Sequence, residues 1–143
     1  ECLYLVGPGS STATFMSAQG LDNTLLGVDV VKGGQCLVAD ADEPMLLDCL
    51  AGHQGPVKMI ITAIGGQGHI LGRGNQQFSP RVIRAVGLDN IIVVATKTKI
   101  TALQGRPLLV DSNDPELDKE LQGYRQVVTG YHDVILYPVG ITP

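Results

Sequence analysis

The sequence predicts one α/β domain over residues 1–143: a Rossmann-like three-layer sandwich with a mostly parallel sheet and an antiparallel edge. Three observations lead there. Apolar runs of strand length alternate with helical patterns along the whole chain, the sequence form of a parallel sheet covered on both faces. The runs at 57–64 and 91–95 are β-branched and nearly continuous in their apolar residues, as buried central strands are. At 143 residues the chain is one ordinary domain, able to bury roughly two-thirds of the surface its unfolded form exposes. An all-β sandwich is the main alternative, and the helical patterns at 42–50 and 79–86 speak against it.

The elements follow in order. Residues 3–6 form a short apolar strand that ends in the turn Gly7-Pro8-Gly9. Ser10 and Ser11 cap a helix to about residue 19, stopped by Gly20. A second strand covers 24–31 (TLLGVDVV), and Lys32-Gly33-Gly34-Gln35 reads as a hairpin turn into a strand at 36–39. Asp42 caps a helix with Pro44 in its first turn and Met45, Leu46, Cys49 and Leu50 on one face. After the strand at 57–64 comes a glycine-rich loop, 65–75. Ser79-Pro80 opens a helix ending at Gly87, and 91–95 is the clearest buried strand. A short helix at 96–103, a strand at 107–110 and an acidic-fronted helix from Asp114 to Leu121 follow. Two strands, 124–129 and 134–139, flank Gly130.

Composition excludes several function classes. A net charge of −4 and a pI near 5.2 argue against generic nucleic-acid binding. Four Tyr, two Phe and no Trp are too few for a base-stacking platform. No apolar run is long enough to span a membrane, and no signal-peptide pattern is present. Cys2, Cys36 and Cys49 lack metal-ligand spacing, so no metal site is expected. They read as small buried hydrophobes in a reducing cytoplasm. Beginning at Glu1 rather than Met, the sequence is expected to be a fragment of a longer chain.

Ligands of an open parallel sheet bind beyond the carboxyl ends of its strands. Gly7, Gly9, Ser10, Ser11 and Thr12 lie at such an end and open a helix, where backbone N–H groups and hydroxyls suit a phosphate or another anion. The stretch Gly65-Gly66-Gln67-Gly68-His69-Ile70-Leu71-Gly72-Arg73-Gly74-Asn75 holds five glycines in eleven residues and suits a loop shaped around a ligand. Residues 65–106 carry six cations, Arg73, Arg81, Arg84, Lys97, Lys99 and Arg106, against the single acid Asp89. The remainder is strongly acidic, so this region looks built to face a phosphorylated small molecule. His69 and Asp29 are the acid/base candidates. His53 and His132 read as turn residues, and Asp111-Ser112-Asn113-Asp114 as a turn plus helix cap.

With GPGSST at 7–12, NTLLGVDVV at 23–31, GGQGHILGRGNQQFSPRVIR at 65–84, NIIVVATKTK at 90–99, RPLLVDSNDPELD at 106–118 and VVTGYHDVILYPV at 127–139, the chain resembles one family over nearly its whole length. It is similar to the C-terminal region of ATP-NAD kinase-like proteins of the AcoX type, the predicted polyphosphate- or ATP-dependent NAD kinases. The resemblance implies a larger parent whose N-terminal nucleotide-binding domain bears a GGDGT motif. Gln67 stands where that motif has its aspartate, so the kinase base is not carried onto it. Ribose-5-phosphate isomerase and glucosamine-6-phosphate isomerase resemble the chain more weakly, through the order of Gly7–Thr12, Gly27–Asp29, Gly65–Gly68 and Thr98-Lys99. Those enzymes place a lysine before the glycine loop and paired acids after the middle strand, where this chain has Ile64 and Val30-Val31.

The resemblance implies a domain that binds nucleotide or phosphate for NAD phosphorylation but is incomplete alone. Gly7, Gly9, Ser10, Ser11 and Thr12 would hold an anion, Gly66, Gly68, His69 and Arg73 would form the facing wall, and Lys99 would supply counter-charge. No cofactor is expected within this chain; ATP or polyphosphate, NAD and a divalent cation are implied for the parent. Expected partners are a nucleotide or sugar-phosphate small molecule and the N-terminal domain of the same chain, with a homo-oligomer left open. The alternative is a non-catalytic sugar-phosphate or nucleotide sensor, or a dimerisation domain.

Overall fold

A computed structural model describes residues 2–18, 20, 27–130 and 132–140. In chain order the elements are β1 (Leu3–Val6), α1 (Ser10–Ala18), β2 (Asp29–Lys32), β3 (Gln35–Val38), α2 (Glu43–Ala51), β4 (Val57–Thr62), β5 (His69–Leu71), α3 (Pro80–Val86), β6 (Ile91–Val94), α4 (Lys97–Ala102), β7 (Leu109–Val110), α5 (Pro115–Leu121), β8 (Gly123–Gly130) and β9 (Asp133–Val139).

The main sheet runs β3-β2-β1-β4-β6-β8-β9. Its centre, β1, β4, β6 and β8, is parallel; β2 and β3 are antiparallel at one edge and β9 at the other. β5 and β7 form a separate parallel pair. Asp42, Ser79 and Asp114, read from sequence as helix starts, each accept a bond from the backbone N–H three residues on. Thr96, read as the first residue of its helix, caps α4 in the same way, whereas Ser10 and Ser11, read as caps, lie inside the first turn of α1 because the helix begins at Ser10.

Side-chain alternation divides the layers. Leu3 and Leu5 of β1 join the main core with Leu46 of α2 and with Val82 and Ile83 of α3. Leu117 and Leu121 of α5 lie in the same core. Tyr4 and Val6 turn to the other face, where Met16 of α1 packs with Val6 and Val31. Among the described residues, that second face is helix-covered only by α1. Over β8 and β9 it leaves Tyr124, Val134 and Leu136 exposed. No helix among the described residues is long and apolar enough to cross a membrane.

Four expectations change. The strand read at 24–31 starts at Asp29, and its first part falls largely outside the described residues. The stretch 65–75, read as all loop, contains β5, which is too short to show a period and exists because β7 pairs with it. Met45, expected on the buried face of α2, is 47% exposed, while Leu46 is fully buried. The cysteines are not all buried: Cys36 is exposed, because β3 is an edge strand, and Cys2 and Cys49 are half-buried.

Candidate functional site

The loop after β1 is fastened to the end of β4. Gly7 donates its N–H to the Ile60 carbonyl at 2.8 Å. A side chain at position 7 would press on the Phe78 ring and that same carbonyl. Gly9 has φ +126°, and a Cβ there would come within 2.5 Å of the Thr62 methyl, so only glycine fits. Thr12 is fully buried, and its hydroxyl lies 2.7 Å from the Gly7 carbonyl and 2.9 Å from that of Gly9. Its one proton is therefore engaged in holding the loop. Ser10 is exposed and Ser11 nearly buried, both in the first turn of α1, whose leading N–H groups have no partner within the helix.

Thr62, the last residue of β4, sits under this loop with 1% exposure, and its hydroxyl has no hydrogen-bond partner. The next residue, Ala63, accepts a 2.6 Å bond from the Lys99 ammonium, which brings α4 to the same end of the sheet. Asp29 is there too. It opens β2 rather than closing it, and because β2 runs antiparallel to β1, Asp29 stands opposite Val6, one residue before Gly7. Its carboxylate is buried and accepts the Asp40 N–H at 3.0 Å.

The glycine-rich stretch divides in two. Residues 64 and 69 exchange backbone bonds of 2.7 and 3.2 Å around the turn at 65–68. Gly65 and Gly66 face open space at its tip. Gly68, with φ +80°, is pinned against Leu103 and Leu108, so packing accounts for it. His69 is buried in β5 rather than displayed on a loop, and its Nδ1 has no partner. Burial, then the nearby Arg73 guanidinium, pushes the imidazole below its ordinary range, against an opposing pull from Asp111. His69 is therefore neutral at pH 7. The following turn folds back on the same segment: Gly74 packs on Ile64, and the buried Asn75 amide ties Gly72 N–H to the Ile70 carbonyl.

Folding distributes the cations that sequence places in one block. Arg84 pairs with Asp114 at 3.3 Å and Glu120 at 3.1 Å, beside α5. Lys97 pairs with Asp133 at 2.8 Å. Of the block, Lys99 reaches the end of β4, and Arg73 stays with His69.

This loop-and-helix arrangement sits on a chain that matches, over residues 1–139, the family model described as ATP-NAD kinase C-terminal domain. The chain belongs to that family. No curated protein and no solved structure matches it.

Within the family domain, two features escape sequence reading. Thr62 closes an apolar run, VKMIIT, and its polar end beside two glycine loops is the signal that could have marked it. The second is a cleft of about 350 Å³ lined by Asp89, Ile91, Gln122, Tyr124, Arg125 and Gln126. It opens at the amino ends of β6 and β8, which pair only over Val93-Val94 and Val127-Val128. Among the described residues, no three His, Cys, Asp or Glu side chains come together.

Proposed function

We propose that this ATP-NAD kinase C-terminal domain binds the phosphate part of a nucleotide at the carboxyl ends of β1 and β4, for NAD phosphorylation in a longer protein. The observation that carries the reading is Thr62, a buried, unbonded hydroxyl under the Gly7–Thr12 loop at the start of α1. Burying a hydroxyl without a partner is unfavourable unless a ligand completes it. The first-turn N–H groups of α1 and the Ser10 and Ser11 hydroxyls supply donors to phosphate oxygens. Thr12 holds the loop's shape, and Lys99 supplies positive charge from the next strand end. Gly66 lies on the open rim, and His69 with Arg73 forms a second group beside it.

Phosphoryl transfer depends mainly on positioning and charge neutralisation, which such groups provide. In this reading the domain contributes to a catalytic set completed by the rest of a longer protein, which would supply the acceptor-activating base. The three unpaired thiols suit a reducing, cytoplasmic setting.

The test begins with thermal shifts of the chain against NAD, NADP, ATP, polyphosphate and ribose phosphates. A ligand at one hundred times its dissociation constant adds about 2.7 kcal/mol. A selective shift abolished by Ser11→Ala is the expected result. Where the site is shared with the rest of the protein, Ser11→Ala and Lys99→Ala are assayed in the longer enzyme. Unchanged turnover and unchanged KM in both would overturn the proposal.

A further inference from the structure

We propose that the cleft between the amino ends of β6 and β8 binds a small organic carboxylate with a flat apolar body. It lies at the opposite end of the parallel sheet from the phosphate site and does not depend on that reading. The cleft exists because two neighbouring strands part. Val93 and Val94 pair with Val127 and Val128, and the same register would continue to Ile92 opposite Gln126, but pairing stops before it. The Val128 carbonyl accepts the Ala95 N–H, so by alternation the main-chain groups of Gln126 face β6 and those of Ile91 face β8. A continued ladder would join the Gln126 N–H to the Ile91 carbonyl. Where it stops, that N–H points into the gap.

The lining has the same origin. Side chains alternate along β8, so Tyr124 and Gln126 lie on one face of the sheet and Arg125 on the other, yet all three border one cleft. It is therefore a slot between strands, open to both faces, and not a dent in one of them. Its volume of about 350 Å³ is at the small end of ligand sites and suits a molecule of amino-acid size.

Arg125 sets the charge of the ligand. Arg84 and Lys97 are exposed and have carboxylate partners. Arg125 is half-buried, and its bonds go to the carbonyls of Leu121 at 3.4 Å and Leu88 at 3.1 Å. No carboxylate among the described residues pairs with it. Burial pulls its pKa down from the ordinary value, and Asp89 opposes this from a distance. A partly desolvated guanidinium gains most from a carboxylate, which accepts its fork of donors and here the Gln126 N–H as well. The Tyr124 ring, 58% exposed, offers a face for a flat apolar body. Asp89 on the rim opposes a doubly charged phosphate more than a singly charged carboxylate, and gives an ammonium group a partner.

The test is an NMR titration of the full chain with hydrocinnamate, free phenylalanine, the neutral hydrocinnamide and inorganic phosphate. Either carboxylate should move the Tyr124, Arg125 and Gln126 amide signals, and should bind at least about tenfold tighter than hydrocinnamide. The two sources differ at Asp89. If phenylalanine binds tighter than hydrocinnamate and the exposed-site variant Asp89→Asn removes the difference, the ligand is an amino acid; if not, it is a plain organic acid. Tyr124→Ala, at an exposed position, and Arg125→Lys, which keeps the charge but not the fork, should each weaken binding several-fold, with circular dichroism confirming the fold. The proposal is overturned if neither carboxylate binds at millimolar concentration, or if hydrocinnamide or phosphate binds there as tightly. Affinity unchanged in both variants, or shifts confined to other parts of the chain, would overturn it as well.

Discussion

Thr62→Val separates stability from binding at the proposed site. The hydroxyl is buried at 1% exposure and makes no hydrogen bond, while the methyl beside Gly9 is kept by valine. Removing an unsatisfied buried polar group recovers its desolvation penalty, about 1–3 kcal/mol. The β-branched shape suits the end of β4 equally well, and the added methyl takes the place of the oxygen. For a domain of this size, each kcal/mol moves the melting temperature by about 2–4 °C. Thr62→Val should therefore melt several degrees higher, with the denaturant midpoint raised and the slope unchanged. It should also lose the ligand-induced shift. Calorimetry and urea unfolding of both chains provide the measurement. A variant that melts lower than the parent would show that the hydroxyl is bonded in the native state, and would remove the observation on which the functional proposal rests.

Other perturbations follow from the same geometry. Because burial depresses the His69 pKa, the unfolded chain takes up a proton near pH 6.5 that the folded chain refuses. Stability from this group is present above about pH 6.5, falls as pH drops by at most about 1.4 kcal/mol per unit, and levels off below the folded pKa. An NMR titration midpoint for His69 at or above the ordinary value would contradict this. Gly72→Ala would drive a Cβ into the Asp111 carbonyl at φ +91°, and strain plus overpacking together should cost about 2–5 kcal/mol in urea unfolding. Leu46→Ala, at a fully buried position of α2, should cost about 2–5 kcal/mol, and a loss below about 1 kcal/mol would mean that α2 does not seal the core. Asp42→Ala removes the 3.0 Å cap to Met45 N–H and should cost about 1 kcal/mol.

Local chemistry is legible without coordinates. Asp42, Ser79 and Asp114 cap their helices because a short oxygen-bearing side chain before a helical run has one favourable use. The pair Gly33-Gly34 makes the β2–β3 hairpin because both residues must take positive φ, 60° and 75°. The parallel centre of the sheet follows from runs such as Ile91–Val94 that are apolar on both faces. The loop at 7–12 is also a local inference, since glycines and hydroxyls ahead of a helix specify a donor-rich turn.

Other properties belong to contacts between segments distant in the chain. His69 becomes buried because β7, forty residues on, gives β5 a strand to pair with. Cys36 is exposed because, among the described residues, nothing pairs beyond β3 in the main sheet. Asp29 reaches the carboxyl end of β1 through the antiparallel direction of β2, which no residue type announces. The cation block at 65–106 splits because α3 lies beside α5, and Arg84 finds two carboxylates there. Sequence alone determined most of the elements, the caps at Asp42, Ser79 and Asp114, and the family to which the chain belongs, since those depend on neighbours within a few residues or on motif order. Tertiary structure alone decided that Thr62 is sealed under Gly9 without a partner, and that Val134 and Leu136 of the last strand stand exposed. Burial and edge position are set by which strands meet, and strand pairing joins residues that the chain itself keeps far apart.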